Sequence, residues 1–233
     1  MQDPVFVQQA FAEIAPRYVL ANHVLSLGID LVWRRRAAQL AAACAPRIVL
    51  DVATGSGDLA AAVGRACPKA TVIGVDFSVP MLRRARKRGL AELVVADALQ
   101  MPFADGTFDV VTVGFGLRNM ANYSLAVREM SRVLKLGGRL ILLDFSLPRG
   151  FWRRPYQFYL HRLMPRLAGL LTGKSTAYEY LGGSIESFPS DQAMTRLLEE
   201  NGFAAARHFV LTGGIAALYV ASASQLDGAA PIL

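Results

Sequence analysis

The sequence predicts an α/β fold: a seven-stranded, mostly parallel sheet with helices on both faces and an antiparallel hairpin at its C-terminal end. Two observations support this prediction. Short apolar segments alternate with helical segments along the chain, as expected for parallel strands joined by right-handed helical crossovers. Near the end of the chain, two further strand-like segments are joined through Gly213 and Gly214, a connection typical of an antiparallel hairpin.

The predicted elements follow one another in a regular order. The apolar run at 48–51 precedes a glycine-rich turn and is predicted to be a buried strand. Ser78 and Pro80 are typical of a helix start and Gly89 of a helix end, so we expect a helix between them. Further strands are predicted at 71–76, 93–97, 108–113, 140–144, 204–210 and 215–222. Further helices are predicted at 59–66, at 124–134 and from a cap at 190–191 to 201.

The chain is expected to form one domain over residues 1–233. Its 233 residues are 53% hydrophobic, which suits a domain with a substantial core and excludes a disordered chain. We divide it into an N-terminal helical segment (1–45), a cofactor-binding core (46–144), a substrate or lid insertion (145–190), and a C-terminal helix with hairpin (191–223).

Composition disfavours several classes of protein. No apolar run reaches the ~18–20 uncharged residues that a membrane span needs, and the N-terminus lacks the pattern of a signal peptide, so we expect a cytoplasmic protein. Cys44 and Cys67 lie in no CxxC pair, and neither a disulfide framework nor a metal site is predicted. The net charge of +7 would suit nucleic acid, an anionic membrane surface or an acidic ligand.

Acidic residues stand at the predicted carboxyl ends of four strands, namely Asp51, Asp76, Asp97 and Asp144. Open parallel sheets bind their ligands at the carboxyl ends of the strands. One acid at a strand end is common, but four together indicate a binding site.

The loop after the first strand carries the spacing Gly55-x-Gly57, which suits two classes of cofactor. The spacing also satisfies the dinucleotide fingerprint, and Asp76 follows at a distance suited to a ribose. A pyrophosphate needs positive potential at this loop, whereas Asp51 and Asp58 bring negative charge to both of its ends. S-adenosylmethionine carries an ammonium, a sulfonium and no phosphate, so we favour it over NAD.

The cofactor-binding residues follow from that choice. Gly55 and Gly57 let the backbone approach the ligand closely, and Ser56 can offer a hydroxyl and an N–H to the carboxylate of the cofactor. Asp76 can accept hydrogen bonds from both ribose hydroxyls. Asp97-Ala98 falls where an adenine amine could be recognised. Asp51, at the entry to the loop, completes this acidic set.

The pattern Asp-x-Ala-x-Gly-x-Gly-Asp, with a later acidic strand end, resembles the class I methyltransferases, which have a Rossmann-like fold. Narrower motifs resemble the menaquinone/ubiquinone biosynthesis C-methyltransferases over nearly the whole chain. These motifs are Tyr18, Asn22 and LSLGIDLVWR (25–34), GFGLRN (114–119), DFSLP (144–148), and YEYLGGSI (178–185) with Phe188-Pro189.

The resemblance implies methylation of a ring carbon of a demethylquinol. That carbon becomes nucleophilic when a neighbouring phenol loses its proton, and a nearby cation would favour the phenolate. Arg118 is the candidate cation, and Asn119 would position the oxygen. Arginine is a poor base, so a water relay or one of Tyr178, Tyr180 and His23 would take the proton.

The chain departs from the family pattern at several positions. Val19 follows Tyr18 where the family has aspartate, and Ser56 stands in the glycine loop where the family has threonine. Gly114 often corresponds to a serine, so a side-chain contact is lost, although we keep Gly114 in the predicted cofactor site. Asp144 often corresponds to a glutamate. These changes leave the predicted cofactor site in place, whereas they make the acceptor pocket harder to predict from the family pattern.

The segment 149–166 interleaves arginines with aromatic residues. It fits either a substrate cap with solvated arginines or a peripheral contact with the membrane in which a polyprenyl quinol resides.

The alternatives to a quinol methyltransferase are a methyltransferase of a small soluble acceptor, an NAD-binding oxidoreductase, and a non-catalytic protein of this fold. No nucleic-acid partner is expected, because no Asn-Pro-Pro-Tyr or Pro-Cys segment follows the fourth strand. The type of quinol ring and the oligomeric state, a homodimer included, stay open.

Overall fold

The structure, a computed structural model, describes residues 26, 28–166, 169 and 176–224, and of 176–181 it describes the backbone only. The predicted N-terminal helical segment therefore lies outside the described residues up to residue 25. The candidates Tyr18, Asn22 and His23 fall in that stretch. The side chains of Tyr178 and Tyr180 also lie outside the described part of the chain.

Seven strands form a single sheet within the described residues. They are β1 (Ile48–Val52), β2 (Thr71–Asp76), β3 (Glu92–Val95), β4 (Phe108–Gly114), β5 (Leu134–Phe145), β6 (Phe203–Leu211) and β7 (Ala216–Ala223). Their order across the sheet is β3-β2-β1-β4-β5-β7-β6. The first five strands pair in parallel, while β7 runs antiparallel to both β5 and β6. The predicted mostly parallel sheet with a C-terminal antiparallel hairpin is thus confirmed.

Helices connect these strands. They are α1 (Ile29–Ala42), α2 (Asp58–Ala66), α3 (Val79–Lys87), α4 (Tyr123–Val133), α5 (Arg153–Phe158), α6 (Thr176–Ser187) and α7 (Gln192–Glu199). Gly89 follows the end of α3 with a φ of 93°, as predicted for a helix terminator. Ser78 and Asp191 occupy the N-cap positions of α3 and α7, but neither side chain makes a capping hydrogen bond. The Asp191 carboxylate instead pairs with Arg149 at 2.6 Å.

Strand β5 is longer than predicted. It begins at Leu134, directly after α4, whereas the sequence pattern placed its start at 140. The pairing of β5 with β4 shifts register near Phe108, and Gly137 in this stretch has a φ of 75°. A glycine in a left-handed conformation beside a register shift is typical of a β-bulge, which hides a strand from a search for regular alternation.

Both faces of the sheet are buried. Leu140 and Leu142 face a core that includes residues of α4 and α7. Ile141 and Leu143, which alternate with them, face a second core that includes residues of α1 and α2. This explains the continuous apolar run in β5, because a strand covered on both faces needs apolar residues at every position. The carboxyl ends of the parallel strands are left as the edge where a ligand can bind.

Candidate cofactor site

A cavity of about 340 Å³ lies across the carboxyl ends of the central strands. Its volume falls within the range of small-molecule sites. Many of the residues predicted from the sequence to form the site line this cavity. They are Gly55, Ser56, Asp76, Asp97, Ala98, Gly114 and Asn119.

Asp51 lies beneath the glycine loop and is not among the residues that line the cavity. Its carboxylate accepts hydrogen bonds from Thr54 Oγ1 at 2.7 Å and from Thr112 Oγ1 at 2.5 Å. Burial raises the pKa of the Asp51 carboxyl to about 6, against the opposing effects of these two hydroxyls and of Arg34. In this geometry Asp51 supports the loop from below.

Gly57 also supports the loop from outside the cavity lining. Its φ of 79° favours glycine, and a Cβ at this position would lie 2.9 Å from Leu90 Cδ1 and 3.1 Å from Ala85 Cβ. Gly57 therefore lets the start of α2 pack closely against α3 and the residues that follow it. Among the two loop glycines, Gly55 is the one on the cavity wall.

Asp76 hydrogen-bonds to the glycine loop after β1 and to the turn after β2. Its Oδ2 accepts a hydrogen bond from the backbone N–H of Gly55, and its Oδ1 accepts one from that of Ser78, each at 2.8 Å. Burial raises the pKa of the Asp76 carboxyl, and these two N–H groups oppose the increase. The hydroxyl of Ser78, on the cavity wall, is buried and has no hydrogen-bond partner among the described residues. A buried hydroxyl without a partner is unfavourable, so this wall suits a ligand that can hydrogen-bond.

The charges around the start of α2 suit a cationic cofactor. Asp58 is the first residue of that helix, where it accepts a hydrogen bond from Ser56 Oγ at 2.6 Å and pairs with Arg88. A carboxylate already stands where a dinucleotide would need to place its pyrophosphate. The strand-end acids, the buried Ser78 hydroxyl and the acidic helix start therefore fit S-adenosylmethionine.

Two residues in strained conformations form the wall beside β1 and β4. Ala53 and Phe115 have φ values of 52° and 60°, which residues other than glycine rarely adopt. A Cβ at Gly116 would lie only 2.6 Å from the Cβ of Ala53. Only glycine fits at 116 at this separation of the two strand ends. Ala53 and Phe115 lie within the motifs quoted above, but neither was predicted to be a site residue.

The adjacent residues Arg118 and Asn119 lie in different environments. Asn119 lines the cavity, and its Nδ2 lies 3.5 Å from the carbonyl oxygen of Phe115. Arg118 is buried away from the cavity lining, and its Nη1 donates to Phe115 O at 2.6 Å and to Asp144 Oδ1 at 2.7 Å. Burial raises the pKa of the Asp144 carboxyl, and the Arg118 guanidinium opposes the increase.

Arg34 lines the cavity, although it was predicted only as part of a family motif and not as a site residue. Its guanidinium carbon lies 5.0 Å from the centroid of the Phe115 ring, which is a cation–π arrangement. The signal that could have identified Arg34 is its place at the end of the LSLGIDLVWR motif.

Comparisons with solved structures agree with this fold. A methyltransferase of Thermotoga maritima, described as S-adenosylmethionine-dependent and as a possible histamine N-methyltransferase, superposes with a TM-score of 0.61 at 20% identity, covering 93% of this chain and 99% of that one. Human N-acetylserotonin methyltransferase in complex with S-adenosylmethionine gives a TM-score of 0.58 at 16% identity, covering 90% of this chain and 58% of that one. At these identities the likeness shows the fold alone.

Sequence comparisons are more specific. A demethylmenaquinone methyltransferase of Thermus thermophilus is 48% identical over 216 residues, which cover 90% of this chain and 98% of that protein. One from Deinococcus radiodurans is 44% identical, covering 92% of this chain and 91% of that protein. A ubiquinone/menaquinone biosynthesis C-methyltransferase UbiE of a Geobacter species is 39% identical, covering 92% and 94%. Residues 2–223 match the sequence model of one family. The chain belongs to the ubiE/COQ5 methyltransferase family.

Proposed function

We propose that this protein methylates a ring carbon of demethylmenaquinol with S-adenosylmethionine as donor. The observation that carries the proposal is the cavity at the strand ends, whose acids and acidic helix start suit a cationic cofactor without phosphate. Family membership supports methyl transfer. The names of the relatives at 48% and 44% identity support demethylmenaquinone as acceptor, and the benzoquinol precursor of ubiquinone is the second candidate because of the name of the relative at 39%.

The cofactor, when bound, would supply a methyl group activated by its attachment to a positively charged sulfur. In our proposal Asp76 accepts hydrogen bonds from the ribose and Asp97-Ala98 recognises the adenine. Gly55 and Gly114 allow a close approach of the backbone, and Ser56 contacts the amino-acid end. Asp51 and Gly57 contribute by holding the loop in place.

Arg118 would act on the acceptor through its charge. Burial is the main effect that raises the pKa of the Tyr123 and Tyr156 phenols. Asp144 adds to the increase at Tyr123 and Tyr159 adds to it at Tyr156, whereas the positive charge of Arg118 opposes the increase in both. The same charge would favour ionisation of a quinol hydroxyl in this region. Asn119 would position the quinol oxygen, and Tyr178, Tyr180 or a water relay would accept the proton.

The segment 149–166 would bring the enzyme to the inner face of the membrane, where a polyprenyl quinol resides. No helix of the described residues is long and apolar enough to cross a bilayer. Phe151, Trp152 and Phe158 are nevertheless 83%, 67% and 60% exposed. Residues 149–166 also contain five arginines and no acidic residue. Exposed aromatic rings beside arginines suit the headgroup region of an anionic bilayer.

An assay on two acceptors tests the proposed function. The purified chain should convert demethylmenaquinol, with S-adenosylmethionine, to a product heavier by one methyl group on the ring, as measured by mass spectrometry. Turnover of the benzoquinol acceptor instead would support the second candidate. If neither ring is methylated while a small phenol or amine is, the acceptor assignment is wrong. If NAD binds and S-adenosylmethionine does not, the cofactor assignment is wrong.

A further inference from the structure

We propose that Arg34 binds the α-carboxylate of S-adenosylmethionine and thereby makes the site selective for cofactors that retain this group. The proposal rests on the proposed function, since it assumes that the cavity holds this cofactor. It adds a recognition residue from α1, outside the strand ends and the glycine loop.

Arg34 is held in a fixed position at one end of the cavity. The neighbouring Trp33 is buried, and its Nε1 donates to Thr212 Oγ1 at 2.9 Å, which ties α1 to the C-terminal hairpin. The Arg34 guanidinium lies over the Phe115 ring, and a Cβ at Gly114 would lie 3.4 Å from Arg34 Nη1. The side chain of Arg34 lines the cavity and is 13% exposed, so its charge is partly shielded from water.

The cavity has opposite chemical character at its two ends. In the strand order, β4 is separated from β2 by β1, and β3 lies beyond β2. Asp76 is the last residue of β2 and Asp97 follows β3, and they provide acceptors for hydroxyl and amine donors. The Arg34 side chain, from α1, lies beside Gly114 at the end of β4, where it provides hydrogen-bond donors and a positive charge. A ligand with a ribose and an amine at one end and a carboxylate at the other matches this polarity.

The neighbouring carboxylates of the protein leave most of the N–H donors of the Arg34 guanidinium available. Its recorded hydrogen bond runs from Nε to Asp30 Oδ2 at a long 3.4 Å. Asp58, although its pKa is lowered in part by the charge of Arg34, pairs with Arg88. Asp51 accepts from two threonine hydroxyls. Among the described residues, no acceptor is recorded for either Nη group of Arg34. A carboxylate is the group that a guanidinium fork binds with two parallel hydrogen bonds.

Binding measurements with two ligands test this proposal without relying on turnover. S-adenosylhomocysteine and its decarboxylated counterpart, which differ only in the α-carboxylate, are titrated calorimetrically into the wild-type chain and into Arg34→Met. Loss of a charge-assisted contact should weaken binding of S-adenosylhomocysteine by about 10- to 100-fold. Binding of the decarboxylated compound should change by less than about threefold. Arg35→Met removes an exposed arginine from the same helix and should change neither affinity.

Several outcomes would overturn the proposal. Equal weakening of both ligands by Arg34→Met would mean that Arg34 shapes the cavity and does not bind the carboxylate. An unchanged affinity for S-adenosylhomocysteine would mean that Arg34 makes no contact. Arg34→Lys, which keeps the charge and loses the fork, provides a second variant if the methionine variant does not fold, and we expect it to recover part of the selectivity. If the wild-type chain binds neither ligand, the proposed function itself fails.

Discussion

Arg118 Nη1 lies 2.7 Å from Asp144 Oδ1, and both side chains are almost completely buried. The same Arg118 atom donates to the carbonyl of Phe115, so one guanidinium ties the ends of β4 and β5 together. Asp144 Oδ1 also accepts from the backbone N–H of Phe145 at 2.9 Å. This buried pair fixes the turn that presents Phe115 and Asn119 to the cavity.

We expect the Arg118–Asp144 pair to be strongly coupled in stability. Asp144→Leu would leave Arg118 buried without its carboxylate and should lower the free energy of unfolding by about 3–5 kcal/mol. Arg118→Met/Asp144→Leu removes both charges and should be more stable than Asp144→Leu, because apolar side chains then meet each other. Urea unfolding of the two single variants and the double variant measures this coupling. Strictly additive losses would contradict it.

The double variant also separates the structural role of Arg118 from its proposed catalytic role. If Arg118 acts on the quinol through its charge, the double variant should turn over at least ~10-fold more slowly, since a lost charge interaction of ~1.4 kcal/mol has that effect. An affinity for S-adenosylhomocysteine close to that of the wild type would show that the turn at Phe115 and Asn119 keeps its place in this variant. Steady-state kinetics and calorimetry provide the two readouts. A selective loss of cofactor binding would refute the catalytic assignment.

The raised pKa of Asp51 predicts a specific pH dependence of stability. Its carboxyl shifts from 3.8 to about 6 in the folded chain, so the native state keeps the proton at pH values where the unfolded state has lost it. The wild type should therefore lose stability as the pH rises from about 4 to about 6, with no further loss above that range. Relative to Asp51→Asn, which cannot ionise, this loss should reach about 3 kcal/mol.

Urea unfolding of wild type and Asp51→Asn at pH values from 4 to 7 measures this difference. Other titrating groups are common to both proteins, so the difference between the two curves isolates Asp51. A difference that stays constant over this range would show that Asp51 ionises equally easily in the folded and unfolded chains.

Gly116 sets the separation of two strand ends. Gly116→Ala brings a Cβ to within 2.6 Å of the Ala53 Cβ, so the ends of β1 and β4 must move apart. We expect a loss of stability of about 1–3 kcal/mol and, because both residues line the cavity, weaker binding of S-adenosylhomocysteine. Thermal unfolding and calorimetric titration measure the two effects.

Two further variants control for the Gly116 experiment. Ala53→Gly in the Gly116→Ala background removes the colliding Cβ at a position whose φ of 52° suits glycine, and it should restore binding. Gly183→Ala places a Cβ in open space on α6 and should be neutral or stabilise the chain by up to ~1 kcal/mol. Full binding by Gly116→Ala alone would mean that the close approach of the strand ends is not required.

The sequence predicted those features that depend on local pattern. The alternation of apolar strands and helices was sufficient for the sheet, and strand-end position was sufficient to bring Asp76 and Asp97 to the cavity. Asp51 ends its strand in the same way, yet its side chain turns to Thr112, its partner across the sheet and 61 residues away. Arg34 likewise reaches the cavity only through the packing of α1 on the sheet. Contacts between distant segments leave no local signature, so the placement of these two side chains needed the structure.

The exposed aromatic residues after β5 predict binding to anionic vesicles. Phe151 and Trp152 form an edge-to-face pair with ring centroids 5.7 Å apart, and Arg153 and Arg154 follow them on exposed positions of α5. Vesicles containing phosphatidylglycerol should bind the wild-type chain, and binding should weaken as salt is added. Phe151→Ser/Trp152→Ser should lower the partition coefficient by at least about 10-fold, since each buried ring contributes roughly 1.5–3 kcal/mol.

Phe209→Ser, which removes an exposed ring from β6, is the matched control and should leave binding unchanged. Cosedimentation measures all three proteins, and equal losses in the two variants would show that binding does not depend on this segment.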